Sequence, residues 1–242
     1  MILEAHFRFH ATLKDLLPQG RQGFEVCLPP NIDQSVKHLI ESLGVPHTEV
    51  GRVTANGVQI DLRYLVQPGD QIDVYPVSAS EIDLGDTGQF RFILDNHLGK
   101  LAIYLRMLGL DVLYRNNYQD EELAERCTRE GRVLLTRDKR LLMRKQITSG
   151  YWLRSKVPRE QLEEVVRRYH LAGVTNPFQR CLRCNGLLQV VQKEDVLHRL
   201  EPLTQRYHDD FRICPACDQI YWKGSHYQRM LQMINQVLLR EP

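Results

Sequence analysis

Polar and apolar residues alternate along "AHFRFHA" (residues 5–11) and again along "GFEVCLP" (23–29). This predicts two β-strands with a glycine-containing turn between them. The period then lengthens. In "NIDQSVKHLIESLGV" the residues Ile32, Val36, Leu39, Ile40 and Leu43 recur at helical spacing, and Gly44 follows as a stop. "EVGRVTANGVQID" returns to strand character around an Asn56-Gly57 turn, and "QPGDQIDVYPV" adds a turn and a last strand. From residue 90 strand and helix alternate. "FRFILD", "LDVLYR", "RVLLT" and "GYWLRS" read as strands. "HLGKLAIYLRMLG", "DEELAERCTREG", "DKRLLMRK" and "PREQLEEVVRRYHL" read as the helices that follow them. Leu98, Leu101, Ala102, Leu105 and Leu108 form the apolar stripe of the first helix, which Gly109 ends.

Two strands, a helix and further strands over residues 1–78 predict a small β-grasp sheet. In "VQPGDQIDVYPV" the segment resembles the ubiquitin-like sulfur-carrier proteins. Those carriers act through a C-terminal Gly-Gly that is adenylated. Here that place reads "VSASEIDLGD", with no Gly-Gly and no free end, so a carrier role is not expected. Residues 79–89 are small, polar and acidic and read as a linker. The alternation over 90–177 calls for an α/β fold, a parallel sheet with helices on both faces. Residues 178–242 hold short strand-like runs, two C-x-x-C pairs and a closing helix, "HYQRMLQMINQVLL".

The composition, 43% hydrophobic and 26% charged, is that of an ordinary soluble chain. Formal charge is uneven: −6 over residues 1–89, +6 over 90–177 and +2 over 178–242. A basic middle beside an acidic front fits an anionic partner, though solvated surface charge gives the same count. There is no apolar run long enough to span a bilayer and no secretory layout at the start, so a cytoplasmic protein without a membrane partner is expected.

Acids fall where the strands end. Asp95 ends "FILD", Asp120 and Glu121 open the helix after "YRNNYQ", and Asp138 follows "LLTR". In an open parallel sheet ligands sit beyond the carboxyl ends of the strands. Carboxylates converging there repel one another unless a cation lies between them, and oxygen ligands of this kind suit Mg²⁺ or Mn²⁺. Each acid has a plainer role as well. Asp120 and Asp138 suit helix caps, and Glu121 suits the positive end of a helix. Asp95 fits a cap less well, because Asn96 competes for that place. Thr136 either bonds a carboxylate or a bound water, or is simply a β-branched strand end. Lys100, Arg115, Arg137, Lys139, Arg140 and Arg144 surround the acids as candidate phosphate contacts. Arg106 reads better as a solvated helix charge, and His97 as a surface residue rather than a base.

Cys181-x-x-Cys184 and Cys214-x-x-Cys217 describe a structural zinc site, with "VVQKEDVLHRLEPLTQRYHDDF" as an excursion between the knuckles. Cys27 and Cys127 read as small buried apolar residues. Beyond the second knuckle, Tyr221, Trp222, Lys223, His226 and Arg229 set aromatics beside bases. That composition suits stacking on unpaired nucleotides. Tyr221 and Trp222 equally suit packing on the knuckle.

The stretch from "FILDNHLGKLAIYLRMLGLDVLYR" to "LLTRDKRLLMRK" closely resembles the Mut-seven C-terminal RNase domain, a PIN-like nuclease family. "FQRCLRCNGLL" and "CPACDQIYWKGSHYQRM" resemble its zinc-ribbon tail, and a ubiquitin-like domain in front is a known arrangement. The resemblance covers residues 90–232. It implies acidic metal-binding roles for Asp95, Asp120 and Asp138, with Glu121 a candidate fourth acid. The segments are then a ubiquitin-like domain (1–78), a linker (79–89), a PIN-like nuclease domain (90–177) and a zinc ribbon with a C-terminal helix (178–242). The expected function is a metal-dependent ribonuclease using Mg²⁺ or Mn²⁺, with Zn²⁺ structural and the ribbon docking RNA through Trp222 and Lys223. A protein partner for the β-grasp surface is a further expectation. The alternative is a non-catalytic RNA- or ribonucleoprotein-binding module.

Overall fold

The computed structural model describes residues 4–20, 25–28, 34–81 and 89–239. Ile32 and most of the expected linker lie outside them. The N-terminal sheet contains β1 (Ala5–Phe9), β2 (Val26–Leu28), β3 (Val50–Ala55), β4 (Val58–Ile60) and β5 (Gln71–Pro76), with α1 (Val36–Ser42) between β2 and β3. Its order is β2-β1-β5-β3-β4. β1 and β5 run parallel at the centre and the other pairings are antiparallel. This is the β-grasp arrangement. Asn56 and Gly57 both adopt positive φ, at 53° and 80°, as a two-residue hairpin requires. Ser35 caps α1, its Oγ accepting from the His38 amide.

One element was not expected. "ATLKDL" forms a 3-10 helix over Ala11–Leu16 where the alternation read as strand followed by turn. Its three-residue repeat buries Leu13 and Leu16 against Phe7, Ile40 and Ile72. Cys27 differs from expectation as well. It lies exposed, because β2 pairs only with β1 and turns Val26, not Cys27, to the core. Cys127 is buried, and burial pushes its thiol up to about 12.

Then come β6 (Arg91–Leu94), α2 (Gly99–Met107) and β7 (Asp111–Tyr114), followed by α3 (Asp120–Glu130), β8 (Val133–Thr136), α4 (Lys139–Leu142) and β9 (Gly150–Trp152). β6 pairs with β7 in parallel, and so does β8 with β9. The α/β class and its parallel strands with flanking helices are as expected. The chain continues as α5 (Pro158–Tyr169), β10 (Gln189–Val191), α6 (Lys193–Val196), α7 (Pro202–Tyr207), β11 (Phe211–Ile213), β12 (Ile220–Trp222) and α8 (Ser225–Leu238). β10, β11 and β12 form an antiparallel ribbon, and α6 and α7 make up the excursion between the cysteine pairs. None of the helices described is long and apolar enough to cross a membrane.

Compactness does not follow the linear segments. One compact unit combines residues 1–89 with 119–153, and the other combines 90–118 with 154–242. In the first, α3 and α4 pack on β8 and the β-grasp core extends to Trp152. Glu49, almost wholly buried, accepts the Trp152 amide at 2.6 Å, and His47 meets the Ile147 carbonyl at 2.9 Å. In the second, α2 packs on β7 and α5, with Phe90, Phe92 and Tyr169 stacked edge to face.

Candidate functional site

Asp95 follows β6 directly and caps the 3-10 turn Asn96–Leu98. Its Oδ1 accepts the Asn96 amide at 2.6 Å. The competition expected from Asn96 does not arise, because Asn96 lies inside the turn and its carbonyl takes the Tyr114 hydroxyl at 2.7 Å. That bond depends on Gly99, where a Cβ would strike the Tyr114 ring. The backbone beside Asp95 is therefore held from two sides.

Asp138 follows β8 in the other unit and is the N-cap of α4. Its Oδ1 accepts the Arg140 amide at 2.8 Å, and its own amide donates to Thr136 Oγ1 at 2.9 Å. Thr136, fully buried, thus fixes the turn that presents Asp138. Asp120 opens α3, exposed. Arg144 grips Asp120 at 3.1 Å and Glu121 at 3.0 Å with its two terminal nitrogens. The helix-start amide of Glu121, then Arg144, hold the Glu121 carboxyl below the usual range.

Among the candidate cations, Lys100, Arg115, Arg137 and Arg140 are exposed. Lys139 is committed within its own unit. Its ammonium donates to the Leu16 carbonyl at 2.7 Å and lies 4.4 Å from the centre of the Trp152 ring.

The four cysteines gather. Cys181 Sγ lies 3.5 Å from Cys217 Sγ, Cys184 Sγ lies 3.4 Å from Cys214 Sγ, and all four are within 4.8 Å of one another. A tetrahedral Zn²⁺ with Zn–S near 2.3 Å asks for sulfurs about 3.8 Å apart, so the donor set and spacing fit a zinc ion. Among the described residues this is the one group of three or more His, Cys, Asp or Glu side chains positioned to hold a metal. Both knuckles are built alike. The residue after each second cysteine-pair member, Asn185 or Asp218, takes positive φ, and its amide donates back to the first cysteine's carbonyl. Burial opposes ionisation of Cys181, but bonds from the Tyr221 hydroxyl and two knuckle amides outweigh it and bring the thiol down to about 7. Burial and the neighbouring sulfurs push Cys217 up to about 12.

Residues 90–234 match the Mut7-C RNAse domain, and residues 2–82 match the Mut7-C ubiquitin domain. The chain belongs to the Mut7-C RNAse domain family. No curated protein and no solved structure matches it.

In this Mut7-C chain Arg106 departs from the sequence expectation, Asn185 adds a role with no sequence signal, and Tyr221 takes the packing role of its two expected ones. Arg106 is not a solvated helix charge. It is buried, and burial lowers its pKa. Its guanidinium donates twice to the Val112 carbonyl, at 2.9 and 3.0 Å, and once each to the Leu182 and Arg183 carbonyls, at 3.0 Å. Arg106 therefore ties β7 to the first cysteine knuckle. No signal in residues 99–109 could indicate the tie to the knuckle, because the Leu182 and Arg183 carbonyls lie 76 and 77 residues onward. Asn185 completes the tie from the knuckle side. Tyr221 packs rather than projects. Its hydroxyl sits 3.1 Å from Cys181 Sγ and takes the Leu182 amide at 3.1 Å. Trp222 is 40% exposed, and Lys223 pairs with Asp210 at 3.4 Å.

Proposed function

We propose that this Mut7-C family member is a metal-dependent ribonuclease in which Asp95, Asp120 and Asp138 supply the carboxylates for Mg²⁺ or Mn²⁺. One observation carries the reading. Within the family segment, Asp95 directly follows one parallel strand and Asp138 comes two residues after another, each oriented by a backbone amide on one oxygen, while among the described residues only the four cysteines are grouped closely enough to hold a metal. Carboxylate oxygens are the ligand type such ions prefer. A divalent ion bound there would acidify a water and offset charge building on a phosphodiester. The chain's own part is orientation. Thr136 and the α4 cap hold Asp138, the Tyr114–Asn96 bond steadies the turn at Asp95, and Arg144 positions Asp120 with Glu121, the candidate fourth acid. Arg115, Arg137 and Arg140 bind the flanking phosphates of the RNA. In the zinc ribbon Trp222 and Lys223 add contacts, with the four cysteines closed around Zn²⁺. The exposed part of the β-grasp surface engages a protein partner.

Substituting Asp95→Asn or Asp138→Asn should remove Mn²⁺-dependent cleavage of RNA while leaving RNA affinity unchanged or higher. Parental cleavage by both variants at matched metal would sink the assignment.

A second reading rests on the same contacts. Asp95 and Asp138 act as caps and Asp120 is paired with Arg144, as a non-catalytic RNA- or ribonucleoprotein-binding module would have them. RNA binding with no metal-dependent cleavage by the parental protein would decide for it.

A further inference from the structure

A cleft of about 590 Å³ runs between α2, the cysteine knuckles and α8. Four basic side chains line it: Lys100 from the start of α2, Arg183 from the first knuckle, and His226 and Arg229 from α8. No acidic residue lines it, and none of the four basic groups forms an ion pair with any described residue. The groove beside Trp222 differs. There Asp209 and Asp210 stand at the edge and pair with Lys193 and Lys223. The α2–α8 cleft thus carries three cations, Lys100, Arg183 and Arg229, with the His226 imidazole beside them and no acid in its lining.

Its floor is soft and apolar. Met107, Met230 and Met233 line it with Tyr104, over whose ring the Lys100 ammonium sits at 5.4 Å. Methionine is flexible and polarisable and adapts to flat faces of different shape. A tyrosine beside cations and apolar side chains is a composition that stacks unpaired bases while holding their phosphates. A duplex presents phosphates but no base faces, and would leave this floor unused. From Lys100 to Met107 the cleft follows α2 for roughly 10 Å at 1.5 Å per residue.

The geometry points to this cleft as the binding track for an unpaired RNA strand, with Lys100, Arg183, His226 and Arg229 on its phosphates and Tyr104 and the methionines under its bases. It deepens the ribonuclease reading by naming the substrate class, and it places the main RNA contact of the ribbon on α8 rather than at Trp222 and Lys223.

The test is fluorescence anisotropy of the full-length, zinc-loaded protein with a labelled oligouridylate of about 12 nucleotides, without added Mg²⁺ or Mn²⁺. The double variant Arg183→Ala/Arg229→Ala should bind at least about tenfold more weakly at low salt. Its plot of log affinity against log salt should be shallower by roughly 1.4, about 0.7 for each lost phosphate contact on a single strand. Met230→Glu should weaken binding without removing a cation. Arg63→Glu, which alters an exposed charge on the β-grasp domain, is the control and should bind as the parent does. Circular dichroism and zinc content establish that the variants are folded. Unchanged affinity in folded double and Met230 variants would overturn the track. So would equal binding of a blunt RNA duplex, or equal competition by polyglutamate, which would mark an acidic-protein surface instead. Because no cleavage is read, failure of the nuclease assignment leaves this test standing. A parental protein that cuts RNA while the folded variants bind normally refutes the track alone.

Discussion

The side-chain amide of Asn185 grips the amide of Val112, 73 residues earlier in the chain, with Oδ1 accepting the Val112 N–H at 2.9 Å. Asn185 Nδ2 meanwhile donates to Asp111 Oδ1 at 2.8 Å, and Arg106 takes the Val112 carbonyl. Both polar groups of the Val112 peptide are thereby satisfied by side chains. β7 pairs with β6 on its other side, so the cysteine knuckle covers an edge that would otherwise be open.

Asn185→Ala should cost about 1–3 kcal/mol, because the buried Val112 amide loses its acceptor, and the half-buried Asp111, which keeps Arg180 at 3.7 Å, loses one donor. Asn185→Asp, though nearly the same shape, should be worse at neutral pH. It removes the donor to Asp111 and sets two carboxylates face to face. Chemical denaturation checks the order. Equal stability of the parent and the Asp variant at pH 7 would contradict the proposed bond.

Zinc uptake should release about one proton fewer near pH 8 than near pH 6. Cys181, held down to about 7, is protonated at the lower value and already a thiolate at the higher. Its folded-state pKa is depressed. In the metal-free protein the matching stabilisation is therefore present above the unfolded thiol's pKa and fades as pH falls through about 7. Titration calorimetry in buffers of different ionisation enthalpy measures the release, and an identical count at both pH values would refute the assignment.

Glu49→Ala should destabilise the unit formed by residues 1–89 and 119–153 by about 1–3 kcal/mol, whereas Glu49→Gln should recover much of that loss. The glutamine oxygen still accepts the Trp152 amide, while the charge and the second acceptor oxygen are lost. Thermal unfolding followed by tryptophan fluorescence in a Trp222→Phe background, which leaves Trp152 as the sole tryptophan, reports on the unit that holds this bond. Equal effects of the two substitutions would count against the hydrogen bond.

Gly109→Ala should be among the most damaging single changes. The residue holds φ at +86°, and an added Cβ would overlap the Asn176 carbonyl oxygen. Asn176 and Phe178 bond the Leu108 and Met107 carbonyls there, so the strand of chain that must move is itself hydrogen-bonded. A drop of more than about 2 kcal/mol in denaturant titrations is expected, and tolerance of the change would contradict this close approach.

Features that were legible in the sequence are those whose cause is local. Gly109 and Gly131 end helices because both take positive φ, and the apolar stripe from Leu98 to Leu108 is buried throughout. The cysteine pairs declare themselves by spacing. The features that were missed depend on partners far along the chain. Arg106 looks like any exposed helix arginine until the carbonyls of residues 182 and 183 arrive, and Lys139 looks like a phosphate contact until Leu16 and Trp152 occupy it. For the acids, spacing placed Asp95 and Asp138 at strand ends and read Asp138 as a cap correctly, but it disfavoured the cap that Asp95 makes and could not reveal that Arg144 spans Asp120 and Glu121.

The Asn185–Val112 bond also sets a timetable. A ribosome delivers β6 and β7 well before residue 185, and synthesis proceeds at about 5–20 residues per second. For several seconds the nascent chain therefore carries an uncapped strand edge that other chains can pair with. The wait lasts until the first knuckle is in place, and that knuckle packs its sulfurs against the second cysteine pair, thirty residues later. With zinc in the proposed site, metal supply would bear on how long that edge stays open during synthesis as well as on the stability of the finished molecule.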